Sequence, residues 1–453
     1  MTRMGKELFG TDGIRGIPGQ YPLDDSTLEH IGLALGNYLR MHIARPRVLI
    51  GRDTRESGLH MAERIARGLA LSGAEPVSAG VLTTPGIAWL VNREEFSAGV
   101  VISASHNPYH DNGVKLVSSA GMKFPDAVEA EVEQLILSEV GKRAAAGDIE
   151  TRLNGSEKLY EDYLEGLQEA VFPGAKLAGM KLVLDCANGA ASKLATQLFR
   201  SLGATAIAMN DTPDGRNINA DCGSLHPKGM QERVVVSGAT LGVAFDGDAD
   251  RAIFATSSGR LVDGDGVLLV AGRYLKSTGQ LKRDVIVGTT MANLGLDRAL
   301  AKSGLRLART AVGDRYVLEE MQRIGANLGG EQSGHILFLD DATTGDGMLT
   351  AVKIASIVSI LGPLDELVAD LKIFPQKIVN VPVRSKPSLD TLLEVDRLLK
   401  EAEKLLGSSG RVVLRYSGTE PLARVMVEAE REEDVCRWTE SLASALHASI
   451  GLR

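Results

Sequence analysis

Short apolar runs followed by polar turns and amphipathic stretches organise most of this chain. Residues 48–51 (VLIG) lead into the polar turn RDTRESG and then into LHMAERIARGLALSG, where Met61, Ala62, Ile65, Ala66 and Leu69 recur at helical spacing. Residues 182–186 (LVLDC) lead through ANGA into ASKLATQLFRSLG, whose stripe is Leu194, Ala195, Leu198 and Leu202, with Ser192 placed to cap the helix. Residues 285–288 (VIVG) lead through TTMANLG into LDRALAKSG. Each helix ends at a glycine, Gly73, Gly203 or Gly304, where a left-handed residue is expected, and a further apolar segment follows. Strand–helix–strand is the right-handed crossover unit of an α/β sheet. Three copies more than 100 residues apart predict three related α/β domains; a solenoid would repeat at roughly 20–50 residues.

The last stretch changes pattern. Residues 378–383 (IVNVPV), 411–415 and 423–429 read as strands, and 388–406 and 432–449 as helices, an α+β module. Gly362, Pro363 and the segment IFPQK at 373–377 mark its approach.

Composition narrows the class. A chain of 453 residues with 44% hydrophobic residues can bury several cores. A net charge of −8 argues against a nucleic-acid surface, leaving room for a local basic pocket. Cys186, Cys222 and Cys436 are too scattered for a disulfide framework or a zinc site, which suits a reducing compartment. MTRMGKELFG lacks the apolar core of a signal peptide, and no apolar run approaches the ~18 residues of a membrane span. The expectation is a soluble, cytoplasmic protein without nucleic-acid or membrane partners.

The densest chemistry lies in DGDADR at 246–251, behind the apolar run LGVAF. Asp246, Asp248 and Asp250 at i, i+2 and i+4 can turn their carboxylates to one side, and three anions so close repel unless a cation sits among them. An EF-hand would need glycine and glutamate where Arg251 and Ser257 stand, and a haloacid-type phosphatase would need threonine at Asp250. A solvated acidic turn is the alternative, and the apolar strand in front of the triplet argues against it. Hard oxygen donors suit Mg²⁺, whose shell a phosphorylated serine would help complete. Ser105 in SASHNP, after the apolar AGVVI, is the obvious serine. Pro108 restricts Asn107, Asn112–Gly113 signals a tight turn, and Lys115 beyond it is expected to fold back toward Ser105. A Ser105–His106 hydrolase lacks a Gly-x-Ser-x-Gly elbow, and adjacent side chains diverge in an extended strand.

Three further loops carry anion- or sugar-binding chemistry, each with an ordinary turn as its alternative. RYSGTEP supplies Arg415, Ser417, Gly418 and Thr419, followed by Arg424, a composition suited to cradling phosphate. GGEQSGH supplies Glu331 and Ser333 for sugar hydroxyls and His335 as acid or base. FGTDGIRG sets Arg15 in a loop with three glycines.

In order and spread, these five loops resemble those of the α-D-phosphohexomutase superfamily over essentially the whole chain. Gln332 and the segment TTGDG at 343–347 are most similar to the bacterial phosphoglucosamine mutase branch, while His110 stands where an aromatic is frequent and Tyr416 at a variable position. The resemblance implies three mixed-sheet α/β domains and a C-terminal α+β domain around a central cleft. They would run 1–150 with a phosphoserine loop, 151–254 with a metal loop, 255–367 with a sugar loop and 368–453 as a phosphate clamp. It implies Ser105 as phosphoserine, and Ser105, Asp246, Asp248 and Asp250 on Mg²⁺. Glu331 and Ser333 would meet the sugar; Arg415, Ser417, Gly418, Thr419 and Arg424 would hold its distal phosphate. Arg15, His106, Lys115, Arg251 and His335 would surround the transfer. The activity implied interconverts glucosamine 6- and 1-phosphates through a 1,6-bisphosphate, feeding UDP-N-acetylglucosamine synthesis. A hexosamine or hexose 1,6-bisphosphate would activate it, and a homodimer is open to such a chain. Another hexose-phosphate mutase, or a phosphosugar-binding regulator without turnover, are the competing readings.

Overall fold

Three mixed sheets and one antiparallel sheet follow one another along the chain in the computed structural model, which describes residues 7–10, 12–138, 153, 155–417 and 420–452. The first sheet holds β1 (Ile14–Gly16), β2 (Arg47–Arg52), β3 (Glu75–Val81), β4 (Ala98–Ile102) and β5 (Asn112–Ser118), in spatial order β1-β5-β4-β2-β3. The second holds β6 (Lys181–Asp185), β7 (Thr205–Met209), β8 (Leu241–Phe245), β9 (Ala252–Thr256) and β10 (Leu261–Val262), in order β10-β9-β8-β6-β7. The third holds β11 (Val285–Thr289), β12 (Arg306–Thr310), β13 (Leu328–Gly330) and β14 (Ile336–Phe338), in order β12-β11-β13-β14.

One unit recurs in all three. Its first strand lies between the second and third, all parallel, and the fourth returns antiparallel beside the third. The parallel strands β4, β8 and β11 are buried at every residue, as expected where helices cover both faces. The helices read from the pattern form at 58–72, 191–201 and 294–302, and Gly73, Gly203 and Gly304 take the left-handed conformation that stops each one. The last domain pairs β15 (Gln376–Pro382), β16 (Gly410–Tyr416) and β17 (Leu422–Ala429) in antiparallel order β15-β17-β16, with helices 393–406 and 432–450.

Burial separates the last domain from the others. One apolar cluster runs from Leu49 and Val101 through Leu184 and Val243 to Ile286 and Ile354, joining the three α/β units. The opposite face of the first sheet, with Val48, Ile50 and Val100, closes on helices 25–40 and 58–72. The last domain has its own core around Val425, Val427, Trp438 and Leu442. Its link to the third domain is largely polar: Glu428 is fully buried, accepts from the Leu294 amide at 2.9 Å and holds Arg411 at 2.6 Å, while Arg411 also donates to the Ala292 carbonyl at 2.6 Å.

Three local expectations are corrected. Ser192 does not cap its helix: it sits inside the first turn and donates to the Gly189 carbonyl, because the chain is already helical at Ala190. Asn112 and Gly113 open β5 rather than a turn, since their backbones pair with β1. Arg15 lies on β1, not in a loop, for the same reason.

Helices 25–40 and 58–72 touch through glycine. A methyl on Gly68 would overlap the Glu29 carbonyl, and one on Gly32 the Ile65 carbonyl. Gly68→Ala must therefore push the helices apart, a small-to-large change that costs about 1–3 kcal/mol. In urea, the transition of the first domain should move to lower concentration; an unchanged midpoint would show that the contact adapts.

Candidate functional site

The turn between the third and fourth strands is the same place in each α/β unit. In the first it is residues 103–111, carrying Ser105; in the second 246–251, carrying the three aspartates; in the third 331–335, carrying Glu331 and His335. The sheets aim these three turns at one another. Ser105 Oγ donates to Asp246 Oδ2 at 2.7 Å, and the Ala252 amide donates to the Gly334 carbonyl at 3.1 Å. Gly247 has no side chain because one would run into the Ser105 carbonyl.

Ser105 and Ala249 both have left-handed backbones, at φ 51° and 55°. Residues with a Cβ rarely hold this conformation, so the surroundings must impose it. The expectation that Ser105 and His106 diverge on an extended strand is overturned for this reason: Ser105 Oγ and His106 Nδ1 lie 3.4 Å apart.

What imposes the turn at Ser105 is a buried network. Arg55 has a fully buried side chain paired with the fully buried carboxylate of Asp53. Its guanidinium donates to the carbonyls of Asp111 at 2.8 Å, Asn107 at 2.6 Å and Ser105 at 3.3 Å. Asp53 accepts from Ser103 Oγ at 2.6 Å, and that oxygen accepts the Ser105 amide at 2.9 Å. From the second domain, Asn219 Nδ2 donates to the carbonyls of Ser105 and Asn107 at 2.9 and 3.0 Å.

The three aspartates are buried, with one oxygen of each within 4.8 Å of the others. Burial, with Asp250 and Asp248 alongside, pushes the Asp246 carboxyl well above its ordinary range. Asp250 is buried too, yet His335, Lys115 and Arg251 hold it below that range. Burial pulls Lys115 down, but Asp12, Asp248 and Asp250 outweigh it and keep the ammonium charged; it lies 3.3 Å from Asp12 and 3.4 Å from Asp248. Burial also opposes charge on His335, and Asp250, 3.7 Å from Nδ1, lifts it to about 9. His106 is shifted down by burial and by Arg251 and Arg15. One oxygen each of Asp248 and Asp250 is buried without a hydrogen-bond partner. Three buried carboxylates grouped this closely, with two orphaned oxygens among them, fit a hard divalent cation.

Beside the aspartates opens a cavity of about 500 Å³, lined by Arg15, Ser105, His106, Arg251, Glu331 and His335, with Asp12 and Asp314 on its walls. Lys115 faces the aspartates from behind, and Ser333 is exposed on the Glu331 turn. Arg415, Ser417 and Arg424 do not line this cavity. They cluster on the last domain, where Arg415 stands opposite Arg424 in register, Arg424 pairs with Glu420 at 2.9 Å and Lys386 donates to the Ser417 carbonyl at 2.6 Å. Gly418 and Thr419 lie outside the described residues.

Sequence reasoning passed over Asp12, Asp53, Arg55, Thr84, Asn219 and Asp314. Thr84 grips the aspartate turn twice, its hydroxyl on Asp248 Oδ2 at 2.6 Å and its amide on the Asp248 carbonyl at 3.0 Å. Asp12 stands within FGTDGIRG and Asp53 and Arg55 within RDTRESG, so the residue types were in view. Nothing in the pattern distinguishes a buried arginine from a solvated one.

Removing one partner of a buried ion pair typically costs ~3–5 kcal/mol, so Arg55→Lys, which keeps the charge and loses the fork, is the sharper probe. It should lower kcat about 10–100-fold for a reaction at Ser105, with KM changing less than about threefold. A parallel loss in KM, or none in kcat, would give Arg55 a merely structural part.

Four family models match the chain: phosphoglucomutase/phosphomannomutase alpha/beta/alpha domain I over residues 6–142, domain II over 161–259, domain III over 263–374 and the C-terminal domain over 378–445. A phosphoglucosamine mutase of Solibacter usitatus is 50% identical over 449 residues, covering 99% of this chain and 100% of its own. Seven further relatives of that name are 40–49% identical over 98–100% of the chain. Among solved structures, a phosphoglucomutase/phosphomannomutase family protein of Burkholderia thailandensis superposes with a TM-score of 0.80 at 23% identity, over 99% of this chain and 100% of that one. The N-acetylphosphoglucosamine mutase of Aspergillus fumigatus, solved with GlcNAc-6P and magnesium, gives a TM-score of 0.67 at 20% identity, over 97% of this chain and 95% of that one.

Proposed function

Since the chain belongs to the phosphoglucomutase/phosphomannomutase family, the α-D-phosphohexomutases, we propose that it interconverts glucosamine 6-phosphate and glucosamine 1-phosphate through a phosphoserine at Ser105. The observation that carries this reading is the 2.7 Å contact of Ser105 Oγ with the buried aspartate cluster, at the mouth of a cavity lined with Arg15, Arg251 and His335. A hydroxyl at that point has cations on one side and open space for a sugar on the other.

Phosphoryl transfer depends mainly on alignment and charge neutralisation. The phosphoryl group on Ser105 Oγ passes to the 1-hydroxyl of glucosamine 6-phosphate: the Oγ–P bond breaks, the new O–P bond forms, and the proton of the sugar hydroxyl ends on Ser105 Oγ. The resulting 1,6-bisphosphate reverses in the cleft. Its 6-phosphoryl group then returns to Ser105, and glucosamine 1-phosphate leaves. His106, 3.4 Å from Oγ, is placed to exchange protons there. Lys115 and His335, held charged by the aspartates, act as fixed cations. Asp246, Asp248, Asp250 and the Ser105 oxygens would hold Mg²⁺, which supplies further charge neutralisation when bound. A hexosamine or hexose 1,6-bisphosphate would load Ser105 with its phosphoryl group.

The intermediate must let go of one end and be gripped by the other. Arg415, Ser417 and Arg424 supply the distal grip in this reading, on a domain with its own core and a polar link to its neighbour. Such a domain can swing about that link more freely than one sharing the common core.

Ser105→Ala should remain folded and lose nearly all mutase activity. Intact-mass analysis should find a phosphate-sized increment on the wild type that is absent from the variant. Among glucosamine, glucose and mannose phosphates, kcat/KM should be highest for glucosamine. Substantial turnover by Ser105→Ala would overturn the phosphoserine; preference for glucose or mannose would move the substrate and leave the chemistry.

A further inference from the structure

Four carboxylates border the cavity beside Ser105, and three of them are engaged. Asp12 pairs with Arg15 and with Lys115. Asp250 lies 3.7 Å from both His335 Nδ1 and Arg251 Nε. Glu331 Oε1 accepts the Gly313 amide at 3.1 Å. Asp314 alone has neither an ion pair nor a side-chain hydrogen bond among the described residues.

Its side chain is exposed, and its backbone is held in place. Asp314 opens the helix 314–324, directly after Gly313, whose φ of 134° only glycine adopts comfortably and whose amide is tied to Glu331. The adjacent cation cannot neutralise it, because Arg315 is committed to Asp126 and Glu319. On the third domain Asp314 and Glu331 line the cavity together with His335, whose charge is met first by Asp250 and less by Asp314 and Glu331. Arg15, His106 and Arg251 line the same cavity on the first and second domains. The two sides suit different ends of a ligand: cations for phosphate, and a free carboxylate for a group that donates or is positive.

We propose that Asp314 is a specificity-determining residue that reads the 2-ammonium group of an amino-sugar phosphate. The inference rests on the mutase reading above and deepens it. A 2-amino sugar phosphate carries a protonated amine near neutral pH, whereas glucose and mannose phosphates offer a hydroxyl at the same carbon. A carboxylate with no ion pair or side-chain hydrogen bond among the described residues gains a charge-assisted hydrogen bond from the former, and only a neutral one from the latter. An N-acetylated sugar has lost the charge and should behave like the hydroxyl compounds.

The test is the ratio of kcat/KM for glucosamine 6-phosphate to that for glucose 6-phosphate, measured in wild type, Asp314→Asn and Asp314→Glu. Asp314→Asn keeps shape and helix-start chemistry and removes the charge. It should lower the ratio about 10–100-fold, and Asp314→Glu should recover part of the loss. N-acetylglucosamine 6-phosphate should follow glucose 6-phosphate across the series. A ratio unchanged within about threefold in Asp314→Asn would overturn the assignment while the mutase reading stood. A wild type that turned over none of these sugars would overturn the mutase reading, and this inference with it.

Discussion

Repulsion among Asp246, Asp248 and Asp250 is the constraint around which the rest is arranged. Three carboxylates are buried with oxygens within 4.8 Å of one another. In a low dielectric that crowding is tolerable only if positive charge and hydrogen-bond donors are brought to it. Each α/β unit contributes. The first brings Ser105, Thr84 and Lys115; the second brings Arg251; the third brings His335. The supply is incomplete, since Asp248 and Asp250 each keep an orphaned oxygen and Asp246 is pushed toward its neutral form. A cation would complete it, and the same place is where a phosphoryl group on Ser105 would need its charge offset.

Convergence of three chemically different turns follows from repetition. The serine, aspartate and glutamate–histidine turns occupy the same position in three copies of one unit, between its parallel third strand and its antiparallel fourth. Packing the three sheets onto one apolar cluster brings those turns together. The fourth domain stands outside that cluster, with a core of its own. If Ser105 carries the reacting group and the fourth domain grips the distal phosphate, as proposed, the reacting group is placed by the shared core and the grip by a separate one.

Much of this was legible in the sequence. Apolar runs such as AGVVI and LGVAF announced buried strands, and the spacing of the aspartate triplet behind LGVAF announced three carboxylates turned to one side. The strand–turn–helix half of the repeat was visible as well, because helical periodicity and terminal glycines mark it. The returning fourth strand was not, and with it the equivalence of the three chemical turns was missed; β14 is only Ile336–Phe338, too short to show a period. Asn112–Gly113 misled because a turn-forming pair can equally open a strand when a neighbour such as β1 takes its backbone. Arg55 and Asp53 were hidden for a deeper reason. Their significance is their burial and their three carbonyl partners, which belong to the fold and not to the local pattern.

In the proposed reading the aspartate cluster holds a divalent cation shared with Ser105. Calorimetric titration of Mg²⁺ into the metal-free protein tests it most directly. The account predicts one site per chain in the wild type, weakened at least about tenfold in Asp248→Asn, which keeps the side-chain volume and removes one charge. No binding to the wild type, or equal affinity in the two proteins, would contradict it.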